Sequence, residues 1–446
     1  MADIKDEIFK AYDVRGIYGD TLTDEIAYLF GRGLVQYLGA SNVAIGYDMR
    51  KSSPSLAENM IRGISDQGAN AAELGEISTD SLYFAVGKFG YPAGVMITAS
   101  HNPPEYNGFK VCRENAIPLS GDQGLNQIRD LMRRGFKDVP HKGKKTERDI
   151  REAFSKHVLS FIDANKIKPF KIVIDAGNGM GGKILPPVFE KLPCEVNPMY
   201  FELDGTFPNH PANPIEPENI KDLQEKVRET RAFLGAAFDG DADRMFLIDE
   251  NSKPMGGDMV TAMVARNLLK KEPGATIVYN LICSKTVPET IEKFGGKPIR
   301  TKVGHALIKP IMREHDAVFG GEHSGHFYFR NNYFADSGII ALLVVLELLS
   351  NEDKSLSELV SEIDPYVRSG EINSRVEDIP SKLEEIKKHY KDLEFDELDG
   401  VTVEGDNFWF NVRPSNTEPL LRLNLEADNE EVMREKTSEV LELIRS

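Results

Sequence analysis

The sequence predicts an α/β fold: three similar α/β domains with mixed, largely parallel sheets, followed by a smaller α+β C-terminal domain. Three observations predict it. Several blocks repeat one order, a short β-rich run, then a polar or glycine-rich loop, then helical spacing, which is the pattern of parallel strands joined by helices. The 446 residues supply about two to four domains at roughly 150 residues each. Near the C-terminus the order changes to a helix, two strand-like runs and a last helix.

The first block has a strand at 42–47 (NVAIGY), a polar loop at 48–53 and a helix at 54–67, with Ser53 as N-cap, Pro54 at the first helical position and Leu56, Met60 and Ile64 on one stripe. The second runs from a strand at 171–175 (KIVID) through the loop 176–183 into a short apolar helix, and the third has a strand at 276–281 and a helix at 287–294. Runs 232–238 and 317–319 read as strands entering dense polar loops, and 338–349 as a buried helix too short to span a bilayer, which takes about 20 apolar residues. In the last unit Leu383, Ile386 and Tyr390 mark an amphipathic helix with Glu384 set i,i+4 to Lys388; strands at 407–412 and 420–426 and a helix at 430–444 follow. Polar stretches at 137–149, 249–256 and 365–373 divide the chain into domains 1–149, 150–249, 250–367 and 368–446.

Composition narrows the function classes. A hydrophobic fraction of 41% is globular, and the net charge of −17 speaks against nucleic acid or acidic membranes as partners. Cys112, Cys194 and Cys283 are too few and too scattered for a disulfide framework. The first ten residues show no signal-peptide pattern, so a cytoplasmic protein is expected, as monomer or homodimer.

Two loops carry reactive groups. A buried strand at 95–98 ends in Ala99, Ser100, His101, Asn102, Pro103 and Pro104; Ser100 beside His101 suits a nucleophile with a base, or a turn whose side chains cap backbone groups. No G-x-S-x-G elbow accompanies it. Lys110, shortly after this loop, either faces solvent or neutralises a phosphate. In 238–244 (FDGDADR), Asp239, Asp241 and Asp243 recur at every second position after a strand, a carboxylate set suited to Mg²⁺ or a similar hard cation. The EF-hand pattern fails because its sixth position, counted from Asp239, is Arg244 and not glycine.

Two more loops suit a hydroxylated and phosphorylated ligand. In 320–326 (GGEHSGH), Glu322 and Ser324 can bond hydroxyls, while His323 and His326 offer donors or bases; the H-E-x-x-H zinc pattern is absent. In 413–422 (RPSNTEPLLR), Arg413 and Arg422 bracket Ser415, Asn416 and Thr417, a set of forks and hydroxyls matched to a phosphate dianion. His305 and Lys309 are spaced i,i+4 and can share a helix face.

With TASHNP at 98–103, DGDADR at 239–244, GEHSGH at 321–326, RPSNTEP at 413–419 and FKAYDVRG at 9–16 in this order, the chain resembles the α-D-phosphohexomutase superfamily, its phosphomannomutase/phosphoglucomutase branch. The resemblance covers essentially the full length. It implies four domains around a central cleft and a phosphoserine at Ser100. It implies Mg²⁺ held by Asp239, Asp241 and Asp243 with the serine phosphate as further ligand. Glu322 and Ser324, with His305 and Lys309, fall to the sugar; Tyr12, Arg413, Ser415, Asn416, Thr417 and Arg422 fall to the phosphate not in transfer. Arg15, His101, Lys110, Arg244 and His326 are the remaining catalytic candidates, with Lys110 first as base, and Lys285 is a further candidate that does not align cleanly. The implied reaction moves a phosphoryl group between O1 and O6 of a hexose phosphate through a hexose 1,6-bisphosphate. Ala242 replaces a glycine common in glucosamine-specific relatives, and His323 replaces a frequent methionine. The rival readings are a phosphoglucosamine mutase, a phosphosugar-binding protein without catalysis, and a phosphatase.

Overall fold

The computed structural model describes residues 3–415 and 420–446, without the side chains at 305 and 306. Three sheets repeat one strand plan. In the first, β1 (Val14–Ile17), β2 (Asn42–Tyr47), β3 (Asn70–Glu76), β4 (Ala93–Ile97), β5 (Tyr106–Arg113), β6 (Ile117–Pro118) and β7 (Lys145–Glu147) lie in the order β1-β5-β4-β2-β3-β7, with β6 paired to β5. The second has β8 (Lys171–Asp175), β9 (Glu195–Met199), β10 (Leu234–Phe238), β11 (Met245–Asp249) and β12 (Pro254–Met255) in the order β12-β11-β10-β8-β9. The third has β13 (Thr276–Asn280), β14 (Lys297–Thr301), β15 (Phe319–Gly321), β16 (Phe327–Phe329) and β17 (Ala335–Asp336) in the order β14-β13-β15-β16-β17.

In each sheet the central strand β2, β8 or β13 pairs in parallel with β3, β9 or β14 on one side and with β4, β10 or β15 on the other. The last of these turns back through a hairpin into an antiparallel neighbour, β5, β11 or β16. The three hairpin loops, 98–105, 239–244 and 322–326, are therefore topological equivalents, and each carries one of the chemically dense motifs. That places the reactive residues at the C-terminal ends of central strands, where open α/β sheets leave a crevice.

The fourth unit is an antiparallel sheet of β18 (Val367–Arg375), β19 (Glu394–Asp396), β20 (Val401–Glu404), β21 (Phe408–Pro414) and β22 (Leu420–Ala427) in the order β18-β22-β21-β20-β19. The helices Ile379–His389 and Glu430–Arg445 pack on it over a core that includes Ile386, Phe410, Leu423 and Val440.

The helix Gly338–Asn351 is apolar on all sides and buried on all sides, as that composition requires, and it joins the cores of the second and third sheets. Glu347 within it is satisfied by Asp163 N at 2.8 Å, Asn267 Nδ2 at 2.7 Å and Lys271 Nζ at 2.5 Å. No described helix is long and apolar enough to cross a membrane.

Several local expectations need correction. Ser53 lies inside the helix Ser53–Asp66 and not at its cap, because its hydroxyl donates to Asp48 Oδ1 at 2.6 Å. The stretch expected to be a linker at 137–149 contains β7, which extends the first sheet by pairing with β3. The polar stretch around 365–373 contributes β18, and the second sheet runs on to Met255, past the seam expected at 249. Glu384 pairs with Lys387 and not with Lys388.

Candidate active site

The serine loop is held from beneath by one arginine. Arg50, 1% exposed, donates from Nη1 to the carbonyls of Pro103 (2.6 Å) and Tyr106 (3.0 Å) and from Nη2 to those of Ser100 (2.9 Å) and Asn102 (2.6 Å). Asp48 Oδ2 at 3.2 Å offsets its charge, and the Phe207 ring of the second domain lies 5.1 Å from the guanidinium carbon. This clamp holds Ser100 at φ +49°, a left-handed conformation that serine adopts only under constraint. Arg15 bonds the Ala99 carbonyl, Asn102 Oδ1 (2.7 Å) and Asp13, so the chain's N-terminal strand also braces the loop.

The aspartate loop meets it from the next domain. Ser100 Oγ donates to Asp239 Oδ2 at 2.8 Å, and Arg244 Nε donates to the same oxygen at 2.9 Å. Asp241 Oδ2 accepts from Thr79 Oγ1 (2.6 Å) and Lys110 Nζ (2.7 Å), and Asp243 Oδ2 accepts from the same ammonium at 2.6 Å. Lys110 reaches them from β5. Ala242 turns the loop at φ +61° without the freedom of a glycine.

The electrostatics follow from crowding. All three aspartates are buried, with ligand oxygens within 4.8 Å of one another. Burial and then the Asp241 charge push the Asp243 carboxyl up; burial also works to raise Asp241, but Lys110, with Thr79 and Arg244, brings it down. Burial works against the Lys110 ammonium, but Asp241 and Asp243 overcome it and raise its pKa well above the usual value. Crowding by the surrounding loops, then the Arg244 and Arg15 charges, lower the pKa of the His101 imidazole, although the residue stays open to solvent; its Nδ1 is 3.2 Å from Ser100 Oγ.

These residues fit a hard divalent cation. Asp241 Oδ1 and Asp243 Oδ1 are buried oxygens with no hydrogen-bond partner among the described residues, an arrangement costly for carboxylates unless a cation satisfies them.

The third loop presents Glu322 on a prepared mount. Its Oε1 accepts from the Tyr328 hydroxyl, and its Oε2 from Asn280 Nδ2 and Gly304 N, both at 3.2 Å. His326 Nδ1 donates to Asp336 Oδ2 at 3.0 Å; burial lowers its pKa, but Asp336 and Asp243 reverse the sign and the net shift is upward. His326 also bridges to Arg244 through the backbone, which ties the third loop to the second. Burial first, then Glu322 and Asp399, raise the pKa of the Tyr12 phenol, whose hydroxyl lies beside Gly304 of the third domain. In the fourth domain Arg413 and Arg422 both pair with Glu371, at 3.0 Å each, and Arg422 Nη2 lies 3.4 Å from Ser415 Oγ.

With this geometry in place, the comparisons decide the family. Four models described as phosphoglucomutase/phosphomannomutase domains match the chain: α/β/α domain I at residues 6–138, II at 152–256, III at 256–366 and the C-terminal domain at 371–443. The chain belongs to the phosphoglucomutase/phosphomannomutase family. It is 42% identical to a phosphomannomutase of Methanocaldococcus jannaschii, covering 98% of this chain and 97% of that one. It is 40% identical to a phosphomannomutase of Vibrio cholerae over 98% of each. Among solved structures, a phosphoglucomutase/phosphomannomutase family protein of Burkholderia thailandensis superposes with a TM-score of 0.90 at 29% identity, over 98% and 97% of the two chains.

Within this family member, the structure brings Arg15, Ser100, His101, Lys110, Asp239, Asp241, Asp243, Arg244 and His326 together where the loops of the first three domains meet, sets Tyr12 and Glu322 beside Gly304, and gathers Arg413, Ser415 and Arg422 around Glu371 in the fourth domain. Lys309 lies behind His326, on the other oxygen of Asp336. Expected beside the sugar, it is 1% exposed, bonds Asp336 Oδ1 at 2.7 Å and lies between the rings of Tyr83 and Tyr328. Lys285 sits at the start of the helix Thr286–Lys293 with Nζ 3.6 Å from Glu404 Oε2, at the seam between the third and fourth domains. Ser324 is half-buried in the third loop. Asn416, Thr417 and the His305 side chain lie outside the described residues.

Sequence reasoning missed Arg50, Thr79, Asp336, Tyr328, Asn280 and Glu371. Arg50 stood in a loop noted only as polar, and Glu371 in a stretch taken for a boundary; neither carries a local signal of its partner.

Proposed function

We propose that this chain is a phosphomannomutase/phosphoglucomutase: it moves a phosphoryl group between O1 and O6 of a hexose phosphate, with Ser100 as the relay and a hexose 1,6-bisphosphate as the intermediate. The observation that carries the reading is the bond from Ser100 Oγ to Asp239 Oδ2, 2.8 Å long, which sets the serine of one domain on the carboxylate cluster of the next.

In the forward half-reaction the bond between phosphorus and Ser100 Oγ breaks and a bond to the sugar hydroxyl oxygen forms. That hydroxyl gives up its proton to His101, whose Nδ1 stands 3.2 Å from the serine oxygen, while Lys110, expected as the base, donates to Asp241 and Asp243 as an ammonium and supplies positive charge instead. The bisphosphate turns within the cleft, its other phosphate returns to Ser100, and the isomerised monophosphate leaves. Asp239, Asp241 and Asp243 would hold Mg²⁺, which supplies positive charge to the oxygens of the group in transfer. Arg15 and Arg50 keep the serine loop in its constrained shape, and Arg244 keeps Asp239 oriented. Glu322, with Ser324, reads sugar hydroxyls, while Arg413, Ser415 and Arg422, with Asn416 and Thr417, hold the phosphate that is not reacting.

A coupled assay tests the reading. It uses Mg²⁺ and a trace of glucose 1,6-bisphosphate, with mannose 1-phosphate, glucose 1-phosphate and glucosamine 1-phosphate in parallel and Ser100→Ala beside the wild type. Comparable conversion of the first two, lost in the variant, is the expected result. Preference for the amino sugar would transfer the chain to a phosphoglucosamine mutase, and release of inorganic phosphate alone would make it a phosphatase.

A further inference from the structure

The two arginines of the C-terminal phosphate loop already share an anion. Arg413 Nη2 donates to Glu371 Oε2 and Arg422 Nη1 to Glu371 Oε1, both at 3.0 Å, one guanidinium to each carboxylate oxygen. Arg413 and Arg422 stand directly opposite each other on β21 and β22, so two like charges lie side by side and need an offset.

The backbone is shaped to provide it. β18 pairs with β22 in a register that runs from Arg368 opposite Glu426 to Glu371 opposite Asn424, with a bulge between them and Gly370 at φ +69°. Without that extra residue Glu371 would stand opposite Leu423, a fully buried core residue, and its side chain would point to the other face of the sheet. The bulge moves Glu371 onto the face that carries Arg413 and Arg422. Beyond it the register continues through Asn373 opposite Arg422.

A carboxylate bridging two guanidiniums occupies the bonding directions that a phosphate would use. We propose that Glu371 is an internal counter-anion of the phosphate loop: a positioning residue that keeps Arg413 and Arg422 together and competes with a phosphate monoester dianion for them. This rests on the reading of Arg413 and Arg422 as phosphate ligands. Its value to the reaction is release. One loop must let go of the first phosphate of the bisphosphate and take up the second in every turnover, so a grip of maximal strength would stall the turn.

Calorimetric titration of the whole protein with inorganic phosphate and with glucose 6-phosphate tests it, on wild type, Glu371→Gln, Glu371→Asp and Arg413→Gln. Removing the carboxylate charge in Glu371→Gln tightens both ligands by about two- to fivefold, the scale of one partly exposed ion pair. The gain shrinks as salt is added, KM falls with it, and kcat does not rise. Glu371→Asp keeps the charge and stays near wild-type affinity. Glu371→Ala makes the same comparison if the amide disturbs the strand. Equal or weaker binding in the uncharged variants, alongside weaker binding in Arg413→Gln, overturns the counter-anion while leaving the phosphate loop intact. Wild-type binding in Arg413→Gln would instead remove the phosphate reading, and the counter-anion with it.

Discussion

Arg50 and Ser100 are fifty positions apart, yet the Arg50 guanidinium donates to the Ser100 carbonyl at 2.9 Å and to three further carbonyls of the same loop. The reactive serine is thus held through its backbone, and its hydroxyl stays available to the next domain. Lysine would keep the charge at position 50 but cannot present a planar fork to four acceptors. Arg50→Lys is expected to lower kcat by about 10- to 100-fold, the scale of a small misplacement of a reacting atom. Mass spectrometry of Ser100 phosphorylation beside steady-state kinetics checks this: KM for the hexose phosphate stays near wild type while phosphoserine content and kcat fall together.

The three aspartates pull function and stability in opposite directions. Asp243→Asn relieves a crowded, buried carboxylate, so the metal-free variant unfolds at a higher temperature than metal-free wild type. Its Mg²⁺-dependent activity falls by at least about a hundredfold, roughly 3 kcal/mol of lost charge stabilisation. Calorimetric scans with and without Mg²⁺ read both effects; a metal-induced rise in Tm that survives in the variant would count against the site.

Asp80 makes the seam between the first and third domains sensitive to pH. Its carboxylate accepts from the hydroxyls of Ser78 and Ser337, the latter at 2.6 Å, and burial pushes its pKa up to about 7. The folded protein keeps this proton where the unfolded chain, near pH 4, has lost it. Stability is therefore greatest below about pH 4 as far as this group is concerned, declines as pH rises toward 7, and is flat above; a shift of this size is worth about 4 kcal/mol at most. Asp80→Asn should remove that slope, read as the difference in urea midpoint between pH 5 and pH 7.5.

Glu322 is oriented before any sugar arrives, since both its oxygens are already bonded to the protein. An amide cannot accept at both atoms, so Glu322→Gln loses a sugar contact and the mount behind it. A drop in kcat/KM of about 10- to 100-fold follows, on the scale of one or two lost bonds to a charged acceptor. Binding of inorganic phosphate to the variant should not change, which separates the sugar loop from the phosphate loop.

Some of this was open to reading in the sequence and some was not, for physical reasons. Ser100 and the aspartate trio lie in short contiguous loops, where adjacent side chains must share a site whatever the rest of the chain does. Strand and helix periodicity placed the central strands and the buried helix Gly338–Asn351. Thr79 touches Asp241 across 162 positions, and no pattern local to either residue encodes that contact. Lys309 shows the converse: its spacing to His305 left its role open and the family resemblance assigned it to the sugar, but the structure buries it against Asp336. Glu371 depended on a one-residue bulge, which alternation of side chains cannot reveal.

The equivalence of the three hairpin loops has a consequence for how the protein is made. The first sheet brings the serine, the second the carboxylates and the third the glutamate, each loop following a strand of its own sheet. Ribosomal synthesis delivers the serine and the carboxylates first, but the helix Gly338–Asn351, which completes the core shared by the second and third sheets, is made only after the glutamate loop. A half-made molecule thus lacks part of the core beneath its carboxylates, so the chemistry and the means of reading a sugar mature together.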